Sequence, residues 1–191
     1  MNNTLGYYGE LSQYGRDIPL ACVGIISKVN VAFNSVIFGI SQSTQPIIGF
    51  NYGARNYSRV KDTFYKAARV VFAVSVVAFL CYQIFPRQII GIFGEGNELY
   101  YEFALRYFHI FLFCIFIVGL QILCSQFFPS IGKGGIGTFV SLSRQVFLFL
   151  PLVIIFPLIM GIDGVLWAGP ISDGLSSVIA LFLVRREMKK W

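Results

Sequence analysis

The sequence predicts an all-α, polytopic helical membrane protein with about five transmembrane helices. Three observations predict this fold class: 56% of the 191 residues are hydrophobic, only 13% are charged, and the mean hydropathy is +0.70. Soluble domains carry about 25% charged residues, so a compact soluble fold lacks the surface to hide this apolar material. Disorder is excluded as well, because it requires low hydrophobicity and high charge.

Five stretches are long and apolar enough to cross a bilayer, which takes about 20 residues. They are helix A (20–43), helix B (66–85), helix C (107–128), helix D (138–160) and helix E (162–184). Connectors rich in turn residues separate them, and Gly161 opens a tight hinge between helices D and E. Pro151 and Pro157 fall inside helix D, where proline commonly marks a bend.

The positive charges predict the orientation of these helices. Eleven of the 15 Lys and Arg residues fall on one side: Arg55, Arg59, Lys61, Lys66, Arg69, Lys133, Arg144, Arg185, Arg186, Lys189 and Lys190. The positive-inside rule places this side in the cytoplasm. We therefore expect a multi-pass protein of the cytoplasmic membrane with a cytoplasmic C-terminus. The lipid bilayer explains the basic residues, and no nucleic-acid partner is expected.

Polar residues within helix A predict a wet cavity. Asn30, Asn34 and Gln45 fall on one stripe of the helix together with Ser41, and Lys28 begins a second stripe. Polar groups in a span usually face an aqueous cavity or a protein interior. The alternative is hydrogen bonding between helices, which uses Asn and Gln but has little need for Lys.

Two further polar residues lie within the later spans. Asp173 is near the middle of helix E, where a carboxylate is a candidate proton carrier or cation ligand. The alternative for Asp173 is a structural pair, for example with Lys28 or with hydroxyl groups. Gln121 on helix C could line the same cavity as helix A.

The sequence carries no pattern typical of an enzyme or a metal site. The four cysteines lie in apolar runs without a CxxC spacing or a nearby His, so no metal and no resident cofactor are expected. Hydrolase and kinase motifs are missing, and no catalytic residue is predicted. The Gly-rich stretch from Gly132 lacks the GK[ST] ending of a phosphate-binding loop, which disfavours an ATP-driven pump. A transporter driven by an ion gradient therefore fits the sequence better than an enzyme.

The sharpest motif runs from Gln45 to Val60, QPIIGFNYGARNYSRV. Pro46 and Gly49 are expected to end helix A, and Gly53 is expected to permit a tight turn. The predicted cytoplasmic loop motif comprises Gln45, Pro46, Gly49, Asn51, Gly53 and Arg55. The segment closely resembles the loop after the eighth helix of MATE (multidrug and toxic compound extrusion) transporters. Residues 14–26, Ser143-Arg-Gln and Gly169-Pro-Ile-Ser-Asp resemble other MATE segments in the right order, so the resemblance covers essentially the whole chain.

The resemblance implies a twelve-helix antiporter of two lobes that exports drug-like organic cations and other xenobiotics in exchange for protons or sodium. Helices A to E would be its eighth to twelfth helices, and 1–191 part of its C-terminal lobe. On this basis we expect a fragment that lacks the N-terminal lobe and is inactive as the truncated chain. The substrate and ion pathway would comprise Lys28, Asn30, Asn34, Gln45, Gln121 and Asp173.

Two alternatives remain open at the level of the sequence. The first is a flippase of lipid-linked saccharides with the related fold. The cavity of such a flippase should be more cationic, whereas Lys28 is the only cation deep within a predicted span. The second is a non-transporting membrane protein that regulates or assembles with a partner. In that case the polar stripes of helix A would pair with another helix and would not respond to substrates.

Overall fold

The computed structural model describes residues 2–94 and 96–191, and this part of the chain contains helices and no strands. The helices are α1 (Asn2–Glu10), α2 (Asp17–Gly53), α3 (Tyr57–Ile84), α4 (Pro86–Phe93), α5 (Glu98–Phe111), α6 (Ile115–Ser130), α7 (Gly134–Leu142), a π-helical segment (Ser143–Phe149), α8 (Leu150–Met160) and α9 (Ile162–Met188). Four helical stretches are long and apolar enough to cross a membrane, or five if the bent pair α5 and α6 forms one span. The predicted all-α membrane fold is confirmed.

Helix α6 lies at the centre of the bundle and packs against α2, α3, α7 and α9. Its close contact with α3 depends on Gly119, because a Cβ there would overlap the Ser75 hydroxyl. Nearby, Phe127 meets Phe64 of α3 edge to face, with ring centroids 5.1 Å apart. Small residues commonly allow such close helix packing in membranes, where lipid removes the hydrophobic drive between helices.

The prediction that Pro46 and Gly49 end helix A is wrong, because α2 continues to Gly53. Its 37 residues span roughly 55 Å at 1.5 Å per residue, well beyond a hydrocarbon core of about 30 Å. Ser43 and Thr44 precede Pro46, and their hydroxyls donate to backbone carbonyls one turn back.

The turn between α2 and α3 is formed by residues after Gly53, whereas Gly53 itself was expected to permit the turn. Gly53 is the last helical residue, and the left-handed conformation falls on Arg55, with φ at 58°. Asn56 then caps α3 by accepting from the Arg59 backbone N–H at 3.4 Å. Gly49 serves helix packing, since a Cβ there would lie 3.2 Å from the Ser130 carbonyl oxygen. Of the predicted loop motif, only Arg55 lies outside a helix.

Predicted helix C is not a single straight span. It begins at Glu98 and bends by 47° between α5 and α6. At the break, Phe113 and Ile115 donate to carbonyls only three residues back, at 3.2 Å each. The break, Leu112–Cys114, contains neither Pro nor Gly, so no local sequence signal marks it.

Predicted helix D runs from Gly134 to Met160 and contains the π-helical segment. The Leu150 N–H bonds to the Gln145 carbonyl, five residues back, just before Pro151. The second proline, Pro157, lies inside α8 without ending it. Gly161 has φ at 61° and links α8 to α9 directly, as the predicted hinge requires.

Candidate functional site: a polar cavity between α2, α9 and the π-helical segment

A cavity of about 280 Å³ lies where α2, α9 and the π-helical segment meet. Its lining comprises Ile26, Ser27, Asn30, Asn34, Phe111, Arg144, Gln145, Phe149, Gly169, Ser172 and Asp173. Ser27 and Gln145 are exposed, so the cavity is open on that side. The lining thus combines amides and hydroxyls with one cation and one carboxylate, within helices of membrane-spanning length.

The centre of this cavity is an ion pair between Arg144 and Asp173. Arg144 Nε donates to Asp173 Oδ1 at 2.7 Å, and the side chains are 26% and 11% exposed. The sequence reading assigned Arg144 to the cytoplasmic charges and named Lys28 as a possible partner of Asp173. The structure corrects the partner of Asp173, which is Arg144 and not Lys28, and it adds Arg144 to the cavity lining.

Hydroxyl groups support the backbone of α9 around Asp173. Ser176 and Ser177 donate to the Asp173 carbonyl at 3.1 and 2.7 Å, and Ser172 donates to the Gly169 carbonyl at 2.7 Å. Pro170 lies in the same turn and lacks a backbone donor. These hydroxyl groups are satisfied within α9, next to the Asp173 side chain that lines the cavity.

The bend between α5 and α6 shapes the cavity wall. It brings the Phe111 ring against Gly169 of α9, where a Cβ would lie 2.6 Å from the ring. Phe111 and Phe149 supply aromatic surface beside the polar groups. The cavity therefore offers flat apolar surfaces next to hydrogen-bonding groups.

Asn34 connects this cavity to a second one of about 220 Å³. The second cavity shares Asn34, Arg144 and Gln145 with the first and adds Gln121, which is 3% exposed. Asn34 Oδ1 is buried and has no hydrogen-bond partner among the described residues. Of the predicted pathway residues, the structure thus brings together Asn30, Asn34, Gln121 and Asp173.

The other two predicted pathway residues lie away from both cavities. Lys28 is exposed, and its Nζ lies 5.8 Å from the centroid of the Phe93 ring. Gln45 donates from Nε2 to Gln126 Oε1 at 2.7 Å, which joins α2 to α6. Gln45 therefore fits the alternative of hydrogen bonding between helices.

Sequence reasoning missed the contribution of the π-helical segment to the site. Arg144 and Gln145 both come from it, and neither was a candidate. The sequence did contain a signal, because the two residues lie on opposite sides of the Gly161 hinge. Counted along the chain from Gly161, Arg144 is only five residues more distant than Asp173. At 1.5 Å per residue this is about 7.5 Å of depth, which the long arginine side chain can bridge.

A second charged cluster closes the end of the bundle that carries the basic loops. Glu187 on α9 is 4% exposed and accepts from Lys133, and Lys190 donates to it at 2.8 Å. The hydrogen bond to Glu187 raises the pKa of Lys133 above its ordinary value of 10.5. Trp191 stacks on Tyr57 nearby, with ring centroids 5.1 Å apart. This cluster joins the α6–α7 connector to the end of α9.

Within residues 2–94 and 96–191, no group of three or more His, Cys, Asp or Glu side chains is placed to hold a metal ion. Cys22, Cys81, Cys114 and Cys124 are free thiols.

Fold and site together define a multi-pass helical membrane protein with a polar cavity between its spans, an architecture that membrane transporters use. The MatE family model matches residues 11–155, so the chain belongs to the MatE family. Protein DETOXIFICATION 56 of Arabidopsis thaliana is 25% identical over 98% of this chain and 37% of its own length. An FAD transporter of Shewanella oneidensis is 22% identical over 87% of this chain and 37% of its own length.

Solved structures agree with this membership. The structure of the MATE multidrug transporter DinF-BH in complex with R6G has a TM-score of 0.81 and 32% identity, covering 94% of this chain and 40% of that one. An outward-facing multidrug resistance MATE family transporter has a TM-score of 0.87 at 15% identity and shows the shared fold. The chain spans about two fifths of the length of these relatives.

Proposed function

We propose that the protein is a multidrug efflux antiporter, which exports drug-like organic cations and other xenobiotics in exchange for protons or sodium and catalyses no chemical reaction. The observation that carries the proposal is the Arg144–Asp173 pair at a cavity lined by amides and aromatic rings. Membership of the MatE family and the 32% identity to a multidrug transporter support it.

The ion pair offers a way to couple ion entry to substrate release. Asp173 is the one acidic group in the described lining of the cavity, and Arg144 neutralises it. A proton or sodium ion that neutralises Asp173 would free Arg144 and make the cavity positive. A bound organic cation would then be repelled, so the two occupants would disfavour each other, as antiport requires.

The proposal also includes the setting of the cavity. We expect the basic connectors and the end of α9 to face the cytoplasm and the protein to lie in the cytoplasmic membrane. The open side of the cavity would face the N-terminal lobe of a complete transporter. Rocking of the two lobes around such a site would give alternating access.

The cavity supports this proposal better than the alternatives. A flippase for lipid-linked saccharides needs a cationic cavity, whereas Arg144 is neutralised by Asp173 and Lys28 lies elsewhere. A regulatory protein would need its polar stripe for a partner helix. Asn34 and Arg144 instead line open cavities.

Dye efflux from cells expressing the complete gene product tests the proposal. Asp173→Asn cannot gain or lose a proton and leaves Arg144 unneutralised, so we expect loss of gradient-driven efflux of a cationic dye. Asn34→Ala should lower efflux several-fold by removing an amide from both cavities. The control is Asp62→Asn on α3, which removes an exposed pair with Lys66.

Unchanged gradient-driven efflux in both cavity variants would refute the assignment of this site. Dye retention that does not respond to the gradient in the wild-type protein would refute antiport itself. Collapsing the proton gradient and removing sodium in separate experiments would identify the coupling ion.

A further inference from the structure

We propose that the end of α9 is a binding surface for an anionic phospholipid of the surrounding bilayer. Arg185, Arg186 and Lys189, the basic face of α9, bind the acidic oxygens of the headgroup. Leu175, Val178 and Phe182, the apolar stripe of α9, contact an acyl chain of the same molecule. This surface depends on the membrane setting of the chain and not on transport, so it goes beyond the proposed function.

The three cations of the basic face lack an intramolecular partner. Arg185, Arg186 and Lys189 are exposed, and their side-chain charges make no hydrogen bond or ion pair within residues 2–94 and 96–191. Lys189 continues the last turn of α9, since its N–H bonds to the Arg185 carbonyl. At 3.6 residues per turn the three side chains lie within about 100° of one another, so they form one face.

The arginines at the opposite end of the bundle are already engaged within the chain. Their contacts among the described residues are Arg16 with Glu10, Arg106 with Asp163, and Arg87 with the Tyr101 ring. At the basic end, Glu187 is the one acidic residue after Asp173 in the sequence, and two lysines already bind it. The basic face therefore carries positive charge that the described residues do not compensate, and it is complementary to an anion.

The end of α9 is held in place beside the basic face. The buried Glu187 accepts from Lys190 at 2.8 Å, and the Trp191 ring stacks on Tyr57 of α3. Lys61 of α3 donates to the Trp191 carbonyl oxygen at 2.9 Å. These contacts fix the residues before and after Lys189, so the basic face is a formed surface and not a loose tail.

The apolar stripe leads along α9 to the basic face. Leu175, Val178 and Phe182 are 49%, 63% and 63% exposed, and their spacing places them on one side of the helix. The next positions on this side are Arg185 and Lys189. From Leu175 to Arg185 the helix rises about 15 Å, half of a hydrocarbon core of about 30 Å. The stripe thus has the length of one bilayer leaflet and ends in cations, where a phospholipid places its headgroup.

This side of α9 faces away from the polar cavity. Phe182 follows Asp173 by nine residues, which is a rotation of about 180° around the helix. Neither the apolar stripe nor the basic face lines either of the two cavities. The occupant of this surface is therefore a different molecule from the occupant of the cavity.

Charge and shape together favour an anionic phospholipid over other occupants. Arginine presents parallel N–H groups that match phosphate oxygens, and basic residues beside a membrane-spanning helix are attracted to anionic lipids. A soluble anion would contact the basic face alone. A second copy of this chain would bring the same positive charge to it. A phospholipid covers the stripe and the basic face at once.

The test compares phosphatidylglycerol, which is anionic, with phosphatidylcholine of the same acyl chains. Fluorescent forms of both lipids are bound to the complete gene product in a nonionic detergent at low salt, and dissociation constants are measured by anisotropy. The wild-type protein should prefer phosphatidylglycerol roughly tenfold or more, and each of Arg185→Gln, Arg186→Gln and Lys189→Gln should lower that affinity about fivefold. The three substitutions together should remove the preference and leave phosphatidylcholine binding unchanged.

Further variants and conditions separate headgroup recognition from net charge and from contact with the acyl chain. Arg16→Gln removes a cation at the opposite end and should alter neither affinity, whereas Arg185→Lys keeps the charge and should keep most of the preference. Phe182→Ala should weaken the binding of both lipids by the same factor. Salt at about 1 M shortens the Debye length to about 3 Å and should reduce the preference. Soluble glycerol phosphate should not displace phosphatidylglycerol, because it lacks acyl chains.

Equal affinity of the wild-type protein for the two lipids, or a preference that survives the triple substitution, would overturn the inference. Equal weakening of both lipids by the triple substitution, or loss of the preference in Arg16→Gln, would overturn it as well. Gradient-driven dye efflux tests the proposed function separately. A lipid preference without efflux would refute transport and leave the lipid surface standing, and efflux without the preference would refute the lipid surface alone.

Discussion

Removing one partner of the Arg144–Asp173 pair should destabilise the bundle more than removing both. Charges 2.7 Å apart attract by about 6 kcal/mol at an effective dielectric constant of about 20. Desolvation of two partly buried ions offsets most of this, at several kcal/mol per ion. The net value of the pair is therefore small, whereas a single buried charge left behind costs about 3 kcal/mol.

The measurement is a double-mutant cycle of Asp173→Asn, Arg144→Gln and the double variant, followed by thermal unfolding in detergent. Asp173→Asn leaves the partly buried Arg144 charge without its partner and should lower the melting temperature by roughly 6–12 °C, from about 2–4 °C per kcal/mol. The double variant should recover at least half of that loss. The neutral Asn and Gln can still hydrogen-bond to each other across the same gap.

The exposed pair between Asp62 and Lys66 is the control, because both side chains are more than half exposed. Surface pairs contribute about 0–1 kcal/mol, so Asp62→Asn should shift the melting temperature by no more than about 4 °C. Additive losses in the Arg144 and Asp173 variants would refute the reasoning, since additivity would mean that the two residues do not interact.

Two further predictions concern packing and the charged cluster on α9. Gly119→Ala should lower the free energy of unfolding by about 1–3 kcal/mol, because the added methyl group overpacks against Ser75. Gly24→Ala is the control and should be neutral or stabilising, because nothing lies within 4 Å of the added methyl group. Equal melting temperatures for the two variants would contradict the close packing at Gly119. Glu187→Gln should cost about 1–3 kcal/mol at neutral pH. The pKa of Lys133 is raised in the folded state. The Lys133–Glu187 contact should therefore contribute fully to the stability of the fold below about pH 10.5, and this contribution should be lost as the pH rises through the folded-state pKa of Lys133. Thermal scans of wild type and Glu187→Gln from pH 8 to 12 should therefore converge at high pH, and a constant gap would argue against the contact.

The membrane fold was predictable because its main cause is compositional. Apolar stretches of span length can satisfy their backbone in lipid only as helices, so hydropathy alone was enough to predict an all-α fold with four or five helical stretches of span length. The loop motif beginning at Gln45 identified the family. What failed was local: Pro46 was interpreted as the end of helix A, but α2 continues through it to Gly53.

The site was only partly predictable because its two charges come from different helices. Helical periodicity correctly grouped Asn30 and Asn34 on one face of α2. It also placed Gln45 on that stripe, but Gln126 of α6 takes its amide. Contacts of this kind depend on which helices become neighbours, and a single helical wheel carries no such information.

Arg144 shows why counting charges by position along the chain is insufficient. It lies at the start of a predicted span, where an arginine ordinarily reaches toward the aqueous surface. Here the π-helical segment changes the register of the helix between α7 and α8, since its bonds reach five residues back. The residues within it, Arg144 and Gln145, line the cavity beside α9. The π-helical segment thus departs from regular α-helical hydrogen bonding and carries the arginine that neutralises Asp173. The polarity of the cavity therefore depends on the path of the backbone as well as on the residue types.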